Sequence, residues 1–374
     1  MAEFDVVIIG AGLVGLACAE ALAQRHSVLV VERHARVGEE TSSRNSGVLH
    51  AGIYYPKGSL KARLCLRGRQ LLEARGRDGR ITLARTGKLV VATSEGEIPD
   101  LERLAENAAE CGVPLRVLST GEVARLEPML RVKSALWSQD SGIIDTAGLV
   151  TSYRREAIDH GATLLLSTSV TAIERGSVDW HVALTARDGS LTRVRTEWIV
   201  NAAGLSADQI ATMAGVDVRA HGLVQKLCKG SYFSLSRRWS GAISRLIYPL
   251  PHGGGLGIHL TLDLAFNLLA GPDARYVTEP ELTPDESVLP FFAEAVRRYL
   301  PDLRDEDLSP AYAGLRPKLA GPGEPFRDFA IRDESVIGLP GLINLLGIES
   351  PGLTASPAIA ERVAGIVSGM GSAT

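Results

Sequence analysis

The 374-residue sequence predicts an α/β protein, α+β in its overall balance, in which a Rossmann-like domain is interleaved with a second domain built on an antiparallel sheet. Three observations carry that prediction. Between Phe4 and Glu32 an apolar run, three glycines, an apolar helical stretch and a second apolar run ending in an acid follow one another in register. Two more apolar runs end in glycine far downstream, EWIVNAAGL (197–205) and LINLLG (342–347), so one domain draws on both ends of the chain. From Val216 to Ile331 the pattern changes to short alternating strands, as an antiparallel sheet requires.

Taken in order, Phe4–Ile9 is rich in β-branched residues and suits a buried parallel strand. Gly10, Gly12 and Gly15 have G-x-G-x-x-G spacing. The first permits a tight turn, the second lets backbone approach a pyrophosphate, and the third lets helix pack on strand. Leu13–Gln24 is the helix, its positive end toward the phosphates. Val28–Val31 is the second strand. Glu32, at its end, accepts hydrogen bonds from ribose hydroxyls and repels a 2′-phosphate, which disfavours NADP.

Further along, Gly87–Ala92 is predicted as a strand, Pro99–Cys111, Gly121–Leu126 and Asp145–His160 as helices, and Ala162–Ile173 as one continuous strand. The antiparallel sheet takes Lys229–Leu235, Leu246–Leu250, Leu256–Leu260 and Asn267–Ala270, followed by a helix over Phe291–Tyr299. This interleaving assigns 1–85, 145–215 and 332–374 to a cofactor domain, and 86–144 and 216–331 to a substrate domain. A cofactor touched by both chain ends is long, so FAD fits better than a nicotinamide dinucleotide.

Composition narrows the function. With 40 Lys and Arg against 43 Asp and Glu the formal charge is −3, which gives no electrostatic footprint for nucleic acid. The four cysteines (Cys18, Cys65, Cys111, Cys228) lack CxxC spacing, which argues against zinc, and no metal site is expected. No run reaches the ~18 apolar residues of a membrane span. Val6–Leu22 is not read as a secretion signal, because Glu3 and Asp5 precede it in place of a basic region. A cytoplasmic location is expected, with peripheral membrane contact if electrons pass to quinones.

The stretch Ser42–Gly68, SSRNSGVLHAGIYYPKGSLKARLCLRG, reads as a segment facing a cofactor and an anion, not as a regular element. Gly47 and Gly52 flank His50, Tyr54 and Tyr55 follow, and Lys57, Lys61, Arg63, Arg67 and Arg69 crowd one span. Hydride transfer from a small anion to a flavin requires a base for the proton released with it and cations for the anion. His50 and His259 are the candidate bases, since imidazole titrates near working pH. The other histidines (His26, His34, His160, His181, His221, His252) fall in loops or on solvated faces. Lys229 and Tyr248 are substrate candidates on the predicted roof strands. Lys57, Lys61 and Arg63 either serve a distal carboxylate or form a solvated basic face. Glu349, beside the Gly347–Gly352 loop, either binds a ribityl hydroxyl, tunes the flavin ring or points outward.

NSGVLHAGIYYPKGSLKARLCLRG, the later KGSYF, GIHLT and LAGPDA, and the terminal GIESPGLTASPAIA resemble the L-2-hydroxyglutarate dehydrogenase/oxidase family. That family lies within the FAD-dependent D-amino-acid-oxidase-like superfamily, which includes glycine oxidase. The segments LTLDLAFNLLAGPDA and AGLRPKLAGPGEPFRDF depart from the family pattern, the second toward glycine oxidase. The resemblance implies a non-covalent FAD, with covalent attachment through His50 as the alternative. It places the cofactor on Gly10, Gly12, Leu13, Val14 and Gly15, then on Glu32 and Arg33. Thr41, Ser42, Ser43, Asn45, Ser46, Val48 and Leu49 follow along the central loop. Val170 matches the position whose backbone meets adenine, and Ala203 and Gly204 close that side. The C-terminal loop contributes Gly347, Ile348, Glu349, Gly352, Leu353 and Thr354. Arg316, in AGLRPKL, resembles the arginine that holds a substrate carboxylate in glycine oxidase. The implied substrate is a small anionic hydroxy acid, L-2-hydroxyglutarate, with quinone or oxygen as acceptor. An amine oxidase of the glycine-oxidase type, or a non-catalytic flavin-binding subunit, are the alternatives.

Overall fold

The computed structural model describes residues 3–250 and 257–369. Phe4–Ile9 lies at the middle of the first sheet, parallel to Val28–Val31 on one side and to the end of Leu191–Asn201 on the other. Leu342–Leu346 runs parallel beyond Leu191–Asn201, and Thr163–Leu165 beyond Val28–Val31. The register aligns Ile9 with Val31 and Asn201, and Asn201 with Asn344, so the carboxyl ends of four parallel strands finish level. Ligands bind in such crevices. Asn201 donates to the Asn344 side-chain oxygen (2.7 Å), and Asn344 donates to Glu334 (3.0 Å), a fully buried chain that pins those ends.

Four helices, Leu13–Ala23, Leu60–Arg77, Thr146–Asp159 and Gly352–Val367, share a core on one face of this sheet. Gly68 is where two of them touch: a Cβ there would meet the Thr354 carbonyl oxygen at 2.1 Å. The other face packs on Ala207–Met213 and on the antiparallel meander Thr168–Arg175, Trp180–Ala186 and Leu191–Asn201.

The second large sheet, nine strands among the described residues, forms the roof. Lys226–Leu235 is paired along its whole length with Leu308–Lys318, and the sheet extends through Leu268–Ala270 and Leu260–Leu262 to Leu246–Pro249. Its neighbour Lys88–Ala92 runs parallel to Leu246–Pro249, so the roof is mixed where the sequence suggested antiparallel pairing throughout.

Two further expectations are corrected. Ala162–Ile173 is not one strand: Ser167 takes a positive φ of 52°, and the halves serve different neighbours, one parallel to Val28–Val31 and the other antiparallel to Trp180–Ala186. The basic end of the Ser42–Gly68 segment is the start of an 18-residue helix, Leu60–Arg77, capped by the Ser59 hydroxyl accepting from the Ala62 amide. The predicted strand Leu256–Leu260 begins outside the described residues, and the strand observed there is Leu260–Leu262. His252 also lies outside them.

Candidate active site

A cavity of about 420 Å³ runs from the carboxyl ends of the parallel strands to the underside of the roof. At one end the glycine turn makes a backbone-lined cradle. Gly10 has φ +104°, and a Cβ on it would sit 2.6 Å from the Ala202 carbonyl oxygen; a Cβ on Gly15 would sit 2.0 Å from the Gly10 carbonyl oxygen. No larger residue fits either position, so strand, turn and helix close around a space left to a ligand. The two helices that start at this cavity, Leu13–Ala23 and Gly352–Val367, receive no side-chain cap from their own N-cap residues, Gly12 and Pro351, and carry no acid in their first turns. Their partners Leu60–Arg77 and Thr146–Asp159 are capped by Ser59 and Asp145. Bare helix starts suit a pyrophosphate and an electron-rich ring.

Of the residues implied by resemblance, Gly10, Gly12, Leu13 and Val14 line the floor of the cavity, with Glu32, Arg33 and Val170 at its far end. Ala203 and Gly204 lie on one wall; Ile348, Glu349, Gly352 and Leu353 lie on the other. The loop Thr41–Ser46 ties floor to roof. Thr41 donates to the Leu315 carbonyl (3.0 Å), the Tyr312 hydroxyl donates to the Asn45 carbonyl (2.8 Å), and Ser46 and Tyr232 share a hydroxyl hydrogen bond (2.8 Å). Ser42 accepts from the Leu13 amide (2.9 Å), and Val48 also borders the cavity.

Five implied residues do not line it: Gly15, Ser43, Leu49, Gly347 and Thr354. Gly15 acts through packing. Ser43 turns outward and donates to the Glu39 and Glu40 carbonyls. Leu49 is core, and the Gly347 amide donates to Gln225 (2.8 Å). Thr354 holds a histidine: its hydroxyl accepts from the His50 amide (3.0 Å) and donates to the Val48 carbonyl (3.2 Å).

The roof end gathers the reactive groups. His50, Tyr248, His259, Tyr232 and Arg316 border the same space. His50 Nε2 is 3.4 Å from the Ser350 hydroxyl, and Cys65 Sγ donates to the His50 carbonyl (3.4 Å). Burial, then the neighbouring Lys88 and His259, push the His50 imidazole well below the usual histidine range, so it is neutral at working pH. Tyr248 stacks on His259 with ring centroids 3.6 Å apart. Arg316 is held by main-chain carbonyls, donating to Asp273 (2.6 Å) and Lys229 (3.4 Å), and no carboxylate lies within ion-pair distance among the described residues. Its charge is oriented and has no direct ion-pair partner, although Glu349 and Asp273 act on it from farther off; this suits an incoming anion.

Several predicted cations are elsewhere. Lys229 does not reach the cavity: its Nζ pairs with the half-exposed Glu281 at 2.8 Å. Lys57 pairs at the surface with Glu110, and Arg63 does not line the site. Lys61 is buried against Glu349 (2.9 Å), whose other oxygen faces Lys318 (3.5 Å). Glu349 therefore borders the cavity with its charge matched from behind. Sequence reasoning missed Arg44, Tyr232, Ser350 and the glycines Gly230 and Gly314 along the wall, together with Lys88 just behind it. Arg44 and Ser350 stood inside motifs already singled out; Tyr232 stood on a predicted roof strand.

A Rossmann-like floor, a glycine cradle and a roof of neutral imidazole and oriented guanidinium define a nucleotide-dependent oxidoreductase. The model of the DAO family, FAD dependent oxidoreductase, matches residues 5–366, and the chain belongs to that family. Its cofactor is FAD, and the cradle, Glu32 and the two bare helix starts fit it. The chain is 40% identical to a mitochondrial L-2-hydroxyglutarate dehydrogenase of Arabidopsis thaliana, over 96% of this chain and 82% of that protein. It is 31% identical to a glycerol 3-phosphate dehydrogenase of Caloramator mitchellensis, over 97% and 74%. The structure superposes on L-alpha-glycerophosphate oxidase of Mycoplasma pneumoniae, solved with FAD bound, at a TM-score of 0.86 and 25% identity, covering 98% of this chain and 94% of that one. Among the described residues no helix is long and apolar enough to cross a membrane, and no cluster of ligating side chains could hold a metal ion.

Proposed function

We propose that the chain oxidises L-2-hydroxyglutarate to 2-oxoglutarate. The observation that carries this reading is Arg316, an oriented guanidinium without a carboxylate, in one cavity with the neutral imidazole of His50. The 40% identity to a relative named for that substrate supports it. When bound, FAD supplies the hydride acceptor. Arg316 orients the C1 carboxylate through its fork of donors. His50, pinned through its backbone by Thr354 and Cys65, takes the hydroxyl proton as the C2 hydride leaves. Tyr248 and His259 form the flat wall that confines the substrate and excludes water. FAD is held without a covalent bond, so that His50, the alternative point of attachment, stays available as the base. Electrons then leave to a quinone or to oxygen, in a cytoplasmic protein that touches membranes only peripherally.

Anaerobic mixing with L- and D-2-hydroxyglutarate, L-malate, glycerol 3-phosphate, glycine and sarcosine tests this. Bleaching of the flavin band by L-2-hydroxyglutarate alone is the expected result. The Caloramator relative favours glycerol 3-phosphate as the second reading, and bleaching by that compound would select it. Bleaching by glycine or sarcosine would make the enzyme an amine oxidase and remove the need for a hydroxyl base. Release of flavin on acid precipitation and oxygen uptake during turnover settle the linkage and the acceptor.

A further inference from the structure

Lys88 opens the strand Lys88–Ala92 and is 1% exposed, yet it makes no hydrogen bond or ion pair among the described residues. Other buried cations in this protein have acids: Lys61 has Glu349, Arg75 has Glu20 and Glu156, Lys229 has Glu281. The Lys88 ammonium lies instead 3.9 Å from the centroid of the Tyr248 ring and 5.6 Å from that of Tyr54. His259 covers one face of Tyr248 at 3.6 Å, so the ammonium sits against the face that remains. Among the described residues the titratable groups around His50 are then Lys88, His259, Tyr248, Tyr54, Tyr55 and Cys65, with Arg69 acting behind Cys65. Burial holds Tyr54, Tyr55, Tyr248 and Cys65 in their neutral forms. The nearby acid, Glu349, is neutralised by Lys61 and Lys318.

We propose that Lys88 is a positioning residue for the reaction, whose buried, unpaired ammonium behind the Tyr248–His259 stack keeps a proton off His50 and so preserves it as the base. This rests on the assignment of His50 as the proton acceptor. The physical argument is competition for one proton. A cluster with no unpaired acid among the described residues tolerates one positive charge far better than two, because each further charge adds repulsion in a medium that screens it weakly. Burial lowers Lys88 to about 7, so below that pH the cluster's proton resides on the amine. His50, already disfavoured by burial, must then charge against a cation. The enzyme thereby keeps a neutral imidazole at pH values where an isolated histidine, titrating near ~6.5, is half protonated.

The test is a titration of the His50 imidazole by NMR in holoprotein labelled at histidine, assigned by loss of its signal in H50N. The same titration is run in K88M, K88Q and K88R, with the pH profile of kcat/KM measured alongside. In the wild type the His50 midpoint is expected well below 6.5. In K88M or K88Q it rises by about one pH unit or more, and the acidic limb of kcat/KM moves with it; K88R keeps both at their wild-type positions. Melting temperatures accompany the titration, because removing an unpaired buried charge orphans no acid and leaves the fold intact. A wild-type midpoint at or above 6.5, or a midpoint that K88M and K88Q leave unmoved, overturns the proposal whatever happens to activity. If no hydroxy acid reduces the flavin while the midpoint still shifts, the substrate reading fails and the electrostatic role of Lys88 stands.

Discussion

The helical layer beneath the cavity and the roof end of the cavity itself treat enclosed cations in opposite ways. On the floor side, Arg75 is clamped between Glu20 (2.9 Å) and Glu156 (2.8 Å) over the Tyr153 ring, and Lys61 is matched by Glu349. At the roof end of the cavity Lys88 is fully buried and Arg316 partly so, yet neither has a carboxylate within ion-pair distance among the described residues. Taking a cation out of water is costly unless it is paired, so an unpaired one has to be tolerated for some other reason. Pairing marks the charges that hold the fold, and its absence marks those waiting for an anion or acting on a neighbour.

The sharpest way to break this contrast is to remove one charge of each kind. R316M is expected to keep its flavin band and melting temperature but lose about ten-thousandfold in kcat/KM, ~5.5 kcal/mol, measured with L-2-hydroxyglutarate. R75M is expected to show the reverse. Leaving Glu20 without its cation and Glu156 with Arg80 but not Arg75 costs ~3–5 kcal/mol in denaturant unfolding, while kcat/KM of the folded fraction stays at the wild-type value. Equal effects of the two variants on turnover would erase the distinction.

A smaller effect follows from Lys88. Its pKa is about 7 in the folded chain and 10.5 as an ordinary lysine, so between those pH values the unfolded state binds more protons than the native one. Stability conferred on the wild type relative to K88M therefore rises from pH 7 to pH 10, as followed by parallel melts of the two proteins. A flat difference would show that the ammonium is hydrated in the fold. The least effect is expected for K229M. Its partner Glu281 is half exposed and outside the cavity, so KM should change by less than about threefold.

Legibility followed the range of the forces involved. The glycine turn, its strands and Glu32 were readable because backbone geometry fixes them within about thirty residues of chain. The Leu60–Arg77 helix was hidden by its basic residues, although Ser59 as N-cap and the spacing of Leu64, Cys65, Gly68, Leu71 and Leu72 were signals for it. His50, His259, Tyr248 and Arg316 were named from residue chemistry, and all four border one cavity. The partners of the cations could not be named. Lys61 meets Glu349 across 288 positions of sequence, and Lys88 faces Tyr248 only because two roof strands run parallel.

The sequence by itself determined the nucleotide cradle, the helix whose positive end faces it and the set of residues able to do acid–base and carboxylate chemistry. Only the tertiary structure decided which of the many cations are neutralised and which are left free. A hydrogen-bonded turn is settled by neighbours in the chain, whereas the electrostatic state of a buried charge depends on every group that packing brings within a few ångströms of it.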